Sequence, residues 1–165
     1  MKKSGIAKYL ERYAEAEVHR LPSVSRNWQH VVCVPACAEL AFLPRTLDAL
    51  SSAHGAEQAL VIVVVNARQS APARVHQDNQ ALWETLGGTQ ETISVVQRGT
   101  LDLWLIDRWS EHRWLPEKQG VGMARKIAGD VALSLIAGGH VHSPWIRCTD
   151  ADVDVPPDFF ASISG

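Results

Sequence analysis

The stretch that decides the fold is Ala59-Leu-Val-Ile-Val-Val-Val65, an unbroken apolar run that ends at the polar Asn66. It is far too short to span a bilayer. A strand without polar alternation is typical of a parallel sheet that is covered on both faces. The shorter segment His30-Val-Val-Cys-Val-Pro35 has the same character and ends at its proline. These two segments predict the centre of an α/β domain.

Around these two strands the chain alternates between helical and strand patterns. Helices are predicted where apolar residues recur at steps of three and four, over residues 39–52, 74–86 and 120–137. Further strands are predicted over residues 92–96, 101–106 and 143–149. This order predicts an α/β fold with a mostly parallel central sheet flanked by helices. Residues 5–19 predict a separate amphipathic helix, and residues 21–27 have the composition of a linker.

The composition indicates one globular domain without a strong charge. The 165 residues are 46% hydrophobic and 21% charged, with a formal net charge of -2, so a largely disordered chain is excluded. That balance gives no general attraction to nucleic acid or to an anionic membrane. The N-terminus lacks the apolar core of a signal peptide, and the three cysteines lack zinc-type spacing. We therefore expect a cytoplasmic protein with reduced, buried thiols and no transmembrane segment.

Aspartates follow the last predicted strand, in Trp145-Ile-Arg-Cys-Thr-Asp-Ala-Asp-Val-Asp-Val-Pro-Pro-Asp-Phe-Phe160. If the backbone remains extended, Asp150 and Asp152 point to the same side, because strand side chains repeat every second residue. Two neighbouring carboxylates repel each other unless a cation lies between them. Oxygen ligands favour Mg2+ or Mn2+, and Mg2+ commonly binds through one or two carboxylates plus substrate phosphates. The motif predicts either a metal–diphosphate site or an acidic surface loop.

Polar residues also follow the other predicted parallel strands. In such sheets ligands bind outside the carboxyl ends of the strands, where residues 35–39, 66–68 and 150–154 all fall. Arg125 and Lys126 lie in the first turns of the 120–137 helix, where the helix dipole disfavours cations. A phosphate bound at this glycine-rich helix start would relieve the conflict. The alternative is that both long side chains simply reach into water.

Taken in order, four motifs resemble the donor half of glycosyltransferases of the GT-A type, especially the large family 2. The motifs are Val31-Val-Cys-Val-Pro-Ala-Cys-Ala-Glu39, the helix and strand over residues 47–65, Gly120-Val-Gly-Met-Ala-Arg125, and Asp150-Ala-Asp152 with Pro157-Asp-Phe159. The resemblance covers residues 30–162 and implies a Rossmann-like GT-A nucleotide-diphospho-sugar transferase fold. Residues 1–29 would form an N-terminal helix and linker, and residues 30–165 a donor-binding α/β domain without its acceptor half.

The resemblance implies a glycosyltransferase that transfers a sugar from a nucleotide-diphospho-sugar donor to an unknown acceptor. Mn2+ or Mg2+ would lie between Asp152 and the diphosphate, and Asp150 would lie near the metal, the ribose or the sugar. Arg125 would lie near the nucleotide or the phosphates. The base and ribose pocket would be lined by Pro35, Ala36 and Glu39. The carboxylate of Glu39 has a second interpretation, as a group favoured at a helix N-terminus by the dipole.

Three features depart from the family pattern. Asn66 stands in the donor site where the family usually has a base-reading Asp, and it can both donate and accept hydrogen bonds. Residues 100–119 are longer and richer in tryptophan than the usual link, so Trp109 and Trp114 either stack on a sugar or pack on the surface. The given chain stops at Gly165, before the region where the family has its acceptor site and general base. We therefore expect a donor-binding portion that is incomplete as a catalyst.

The sequence also leaves functions other than glycosyl transfer open. A non-catalytic nucleotide-binding module is one, and a sugar-1-phosphate nucleotidyltransferase is another. The latter would need a glycine-rich, basic loop after the first strand, which Ala36-Cys-Ala-Glu39 is not. A phosphatase would carry its Asp-x-Asp nucleophile after the first strand, where Pro35 follows instead. An exposed apolar edge of the sheet would also favour a homo-oligomer.

Overall fold

The computed structural model describes residues 3–161, which fold around one five-stranded sheet. Residues 1–2, at the start of the predicted N-terminal helix and linker, and residues 162–165, at the end of the predicted donor domain, lie outside the described residues. The strands are β1 (His30–Ala36), β2 (Ala59–Asn66), β3 (Ile93–Arg98), β4 (Leu101–Arg108) and β5 (Ile146–Cys148). The helices are α1 (Gly5–Arg12), α2 (Leu43–Ser52), α3 (Ala73–Leu86) and α4 (Val121–Ala137). Short 3-10 turns cover Ala16–His19 and Ala56–Gln58.

The strand order is β3-β4-β2-β1-β5. β1 runs parallel to both β2 and β5, and β2 runs parallel to β4. β3 alone pairs antiparallel, with β4, through a turn at Gly99, whose φ of 60° suits glycine. The prediction of a mostly parallel sheet flanked by helices is therefore confirmed, and the architecture is compatible with a Rossmann-like fold.

Both faces of the sheet are covered, which explains why β1 and β2 are apolar throughout. Val32 and Val34 share one core with the apolar sides of α2 and α3. Val31 and Cys33, which alternate with them, pack in a second core with α4. A strand between two helical layers needs apolar residues at every position, because neither face meets water.

The N-terminal segment docks onto α4 through the buried carboxylate of Asp130. Tyr9 Oη donates to Asp130 Oδ1 at 2.7 Å, and the main-chain N of Glu15 donates to Oδ2 at 2.8 Å. Lys126 Nζ donates to the same Oδ2 at 2.8 Å. The helix predicted over residues 5–19 is shorter than expected. It ends at Arg12 and is followed by the 3-10 turn Ala16–His19.

Two further elements, one helix and one strand, differ from the predictions. α2 begins at Leu43, four residues after the predicted start at Glu39, and Pro44 lies in its first turn. The strand predicted over residues 143–149 forms only at Ile146–Cys148, so Asp150 and Asp152 do not continue an extended backbone. α3 and α4 match their predicted ranges to within one residue at each end.

The cysteine prediction is correct for one thiol. Cys33 is buried, whereas Cys37 and Cys148 are exposed. All three are free thiols. None of the helices between residues 3 and 161 combines the length and the apolar character needed to cross a membrane.

Candidate functional site

A cleft of about 700 Å³ opens at the carboxyl ends of β1, β2 and β5. This volume lies within the range of small-molecule sites. The strand ends supply the floor, and the start of α4 and the segment after β2 supply the walls. The lining residues are Pro35, Cys37, Glu39, Asn66, Ala67, Arg68, Ser70, Ala71, Pro72, Val75, Leu115, Gly120, Val121, Asp150, Ala151 and Asp152.

Most of the predicted donor-site residues meet in this cleft, but Ala36 and Arg125 are not among the residues that line it. Pro35, Glu39, Asn66, Asp150 and Asp152 all contribute to its surface. The side chain of Ala36 is fully buried in the core shared with α2 and α3. The prediction that Ala36 lines a base pocket is therefore corrected, because the pleat of β1 turns its side chain away from the cleft.

Glu39 lies on the loop between β1 and α2, which α3 holds in place. Asn79 Oδ1 accepts a hydrogen bond from the main-chain N of Ala38 at 3.0 Å. Asp78 Oδ1 accepts one from the main-chain N of Leu40, also at 3.0 Å. Ala38 has a φ of 56°, an uncommon conformation for a residue with a side chain. Since α2 begins only at Leu43, Glu39 is not a carboxylate in its first turn.

Asn66 is part of the fold as well as of the cleft. Its Nδ2 donates to the main-chain oxygens of Ala36 at 3.2 Å and of Val64 at 3.1 Å. A side-chain amide has two N–H groups, so both are used within the protein. Asn66 therefore offers a ligand its Oδ1 acceptor, and the predicted ability to donate is already occupied.

Residues 150–152, which we call the Asp turn, present their two carboxylates to the cleft. Ala151 between them is 2% exposed and packs in the core. Its main-chain oxygen accepts a hydrogen bond from Thr46 Oγ1 at 2.7 Å. Because Ala151 is held inward, Asp150 and Asp152 remain exposed on either side of it. The predicted juxtaposition of the two side chains at the cleft is thus reached by a turn and not by an extended strand.

Arg147 anchors the segment that follows the Asp turn. Its guanidinium donates hydrogen bonds to the main-chain oxygens of Phe159 and Phe160 and lies over both rings. His30 stacks on Phe160 with ring centroids 5.4 Å apart. The turn over residues 157–160 is therefore fixed to the edge of the sheet, directly beyond the two aspartates.

Arg125 pairs with the Asp turn. Its Nη2 lies 2.7 Å from Asp150 Oδ1, and the two side chains are 47% and 59% exposed. An ion pair this open to water contributes little to stability. It does place a cation at the rim of the cleft, beside the carboxylate that the sequence singles out.

The start of α4 forms one wall of the cleft through Gly120 and Val121. This agrees with the predicted position of a glycine-rich helix start beside the aspartates. Lys126 does not take part, because its Nζ is bound to Asp130, to the Tyr13 main-chain oxygen and to Glu15. Although burial opposes it, these hydrogen bonds raise the pKa of Lys126. The interpretation of Lys126 as a phosphate-binding or solvent-directed cation is therefore wrong.

Carboxylates dominate the electrostatics of the cleft. The pKa of Glu39 is raised, first by burial and then by the negative charges of Asp152, Asp78 and Asp150. Each of these groups therefore makes it harder for the Glu39 carboxyl to ionise. A divalent cation among them would remove that repulsion, so the donor set suits a hard metal ion with oxygen ligands.

The protein alone does not provide a full metal cage. Among residues 3–161, no group of three or more His, Cys, Asp or Glu side chains is arranged to hold a metal ion by itself. Of the two carboxylates of the Asp turn, Asp150 is paired with Arg125.

The tryptophans of the long loop after β4 pack against the protein. Trp109 packs against the core and lies 6.1 Å from the Trp83 ring. Trp114 contacts the rings of His76 and His112 at 6.3 and 6.2 Å. Of the two interpretations, packing is the one observed, and neither side chain lines the cleft.

The supporting residues Thr46, Asp78, Asn79 and Arg147 were not singled out in the sequence. One signal was available for Asn79, which follows Val75 by four residues and precedes Leu82 by three, on the apolar side of α3. A polar residue at such a position needs buried partners.

Arg68 is a further cleft residue, and its Nη1 donates to the Glu117 main-chain oxygen at 3.1 Å.

Comparisons with protein-family profiles, with curated proteins and with solved structures give no significant match.

Proposed function

We propose that the cleft binds a nucleotide-diphospho-sugar together with Mn2+ or Mg2+, and that the protein is a glycosyltransferase of the GT-A type. The observation that carries the proposal is the meeting of the Asp turn, Glu39 and the α4 start around one cleft at the carboxyl ends of parallel strands. Ligands of open α/β sheets bind at that edge.

Charge complementarity supports a diphosphate with a metal ion over an uncharged ligand. Glu39, Asp150 and Asp152 would repel a bare diphosphate, and a divalent cation offsets that repulsion. On the other side, Arg125 and Arg68 place cations at the rim and the wall. The start of α4 adds the positive end of a helix dipole, which favours anions.

The residues then have separate roles in binding. Asp152 would hold the metal ion, with Asp150 beside it, and Arg125 would face the phosphates. Pro35, Glu39 and the Oδ1 of Asn66 would contact the base and the ribose. When bound, the metal acts as a Lewis acid that neutralises charge on the departing nucleoside diphosphate.

Calorimetric titration tests the binding part of the proposal. Uridine and guanosine diphosphates are titrated into the wild-type chain with and without Mn2+, and then into Asp152→Asn. The matched control is Asp154→Asn, an exposed aspartate that does not line the cleft. We expect Mn2+-dependent binding that is lost in Asp152→Asn and retained in Asp154→Asn. Equal binding by both variants, or none in the wild type, would contradict the proposal.

Donor hydrolysis tests the catalytic part. A transferase that activates its donor releases free sugar to water slowly when no acceptor is present. Release of sugar from a uridine or guanosine diphospho-sugar, dependent on Mn2+ and on Asp152, would support transfer. Metal-dependent nucleotide binding without any sugar release would instead favour a non-catalytic nucleotide-binding module.

A further inference from the structure

Two cysteines lie side by side on neighbouring strands. Cys33 of β1 and Cys148 of β5 are register partners in the parallel pairing of these two strands. Adjacent strands are about 4.8 Å apart, which falls inside the range of about 4.4–6.8 Å between Cα atoms that a disulfide requires. Register partners also point to the same face of a sheet, so the two sulphur atoms can meet without a change in topology.

The two thiols differ in their access to solvent. Cys148 is exposed, whereas Cys33 has no accessible surface. An oxidant in solution therefore reaches Cys148 and cannot reach Cys33. Cys33 needs only to reach Cys148, its partner in the strand register. This is the arrangement of a reacting thiol beside a resolving thiol.

We propose that Cys33 and Cys148 form an oxidation site that reacts with a hydroperoxide and closes to a cross-strand disulfide. The sulphur of Cys148 attacks the terminal peroxide oxygen and the O–O bond breaks. The leaving oxygen takes up the proton lost from the Cys148 thiol and departs as water or, from an organic peroxide, as an alcohol. Cys148 is then a sulfenic acid. The sulphur of Cys33 attacks the Cys148 sulphur, the S–O bond breaks, and the oxygen leaves as water with the Cys33 proton. The thiols lose two electrons in total, and the peroxide gains them.

The disulfide would join the edge strand β5 to the centrally placed β1. Cross-linking residues so distant in sequence restricts the unfolded chain and raises stability. The bond would also lie close to the Asp turn, because Cys148 precedes Asp150 by two residues. The inference is independent of nucleotide binding, since it needs only the two thiols and the oxidant.

Peptide mapping after oxidation tests the proposal. The reduced wild-type chain, Cys148→Ser and the control Cys37→Ser are treated with hydrogen peroxide and digested under non-reducing conditions for mass spectrometry. We expect a peptide pair linked through Cys33 and Cys148 in the wild type and in Cys37→Ser, and its loss on reduction with dithiothreitol. The oxidised forms of both proteins should unfold at a higher temperature than their reduced forms. Cys148→Ser should show neither the link nor the shift.

Three results would overturn the proposal. One is a wild-type chain in which Cys148 proceeds to a sulfinic acid while Cys33 remains a thiol. The others are a disulfide that involves Cys37 and a disulfide that joins two chains. Because Cys148 is exposed, Cys148→Ser should fold like the wild type, which the thermal unfolding of the reduced variant checks directly.

Discussion

Asn79 Nδ2 donates a hydrogen bond to the main-chain oxygen of Asn66 at 3.0 Å, which joins the middle of α3 to the end of β2. The other end of the same buried amide accepts from the main-chain N of Ala38. One side chain therefore fixes the loop after β1 and the end of β2, and both of these line the cleft.

Replacement of Asn79 by Ala should destabilise the protein by about 2–4 kcal/mol, because it leaves the part-buried N–H of Ala38 and the buried C=O of Asn66 without their partners. It should also weaken nucleotide binding, since the Glu39 loop loses its support. The matched control is Gln80→Ala, the exposed next residue of α3, which should change stability by less than about 0.5 kcal/mol. Urea denaturation measures both. Similar losses in the two variants would show that Asn79 has no special role.

Replacement of Arg125 by Gln should weaken Mn2+-dependent binding of a nucleoside diphosphate about tenfold, or about 1.4 kcal/mol, because a cation facing the phosphates is lost. Stability should fall by less than about 1 kcal/mol, since the pair with Asp150 is open to water. Arg45→Gln, an exposed arginine on α2, is the control and should leave affinity unchanged. If calorimetry finds equal affinities for the two variants, the role of Arg125 would be limited to its ion pair with Asp150.

Lys126→Met should show the opposite behaviour. It should destabilise the protein by about 1–2 kcal/mol, because the buried Asp130 loses a charged partner. Nucleotide affinity should not change, since Lys126 faces the N-terminal segment and not the cleft. Lys118→Met, an exposed lysine before α4, is the control for stability. A fall in nucleotide affinity for Lys126→Met, with unchanged stability, would contradict this assignment.

His30 should make the protein sensitive to acid. Burial lowers the pKa of His30, and the positive charge of Arg147 lowers it further. The unfolded chain therefore takes up a proton at a higher pH than the folded protein does. Neutral His30 makes its full contribution to the free energy of unfolding above the ordinary histidine pKa of about 6.5. That contribution is lost as the pH falls through this value toward the pKa of His30 in the folded protein.

Urea denaturation between about pH 7.5 and about pH 5.5 checks this expectation. His30→Gln should lose part of the acid sensitivity of the wild type. The exposed His142, replaced by Gln, should leave the pH dependence unchanged. If both variants follow the wild-type curve, His30 does not couple the edge of the sheet to pH.

The sheet and the meeting of polar residues at its edge could be predicted because both depend on local patterns. The apolar character of β1 and β2 is visible in each segment alone, and parallel strands bring their carboxyl ends together whatever the loops do. The form of the Asp turn could not be predicted. It depends on Thr46, which bonds Ala151 across 105 positions of sequence. Lys126 was misinterpreted for a similar reason, since the N-terminal segment that binds it is distant in the chain. Ala36 was misplaced for a local reason, because the pleat of β1 turns its side chain into the core with Val32 and Val34.

The Asp turn follows the shortest strand in the described part of the sheet. β5 has three residues and pairs with β1 at the edge of the sheet, whereas β2 is buried over its whole length. Amide protons of β2 should therefore exchange with solvent only when the whole domain opens, while those near the Asp turn exchange through local fraying. A ligand that bridges the Asp turn and α4 would slow exchange there by suppressing local fraying, and would slow exchange of β2 only through the added free energy of global unfolding. In this protein, ligand binding in the cleft and ordering of the residues at the sheet edge would then be coupled parts of one equilibrium.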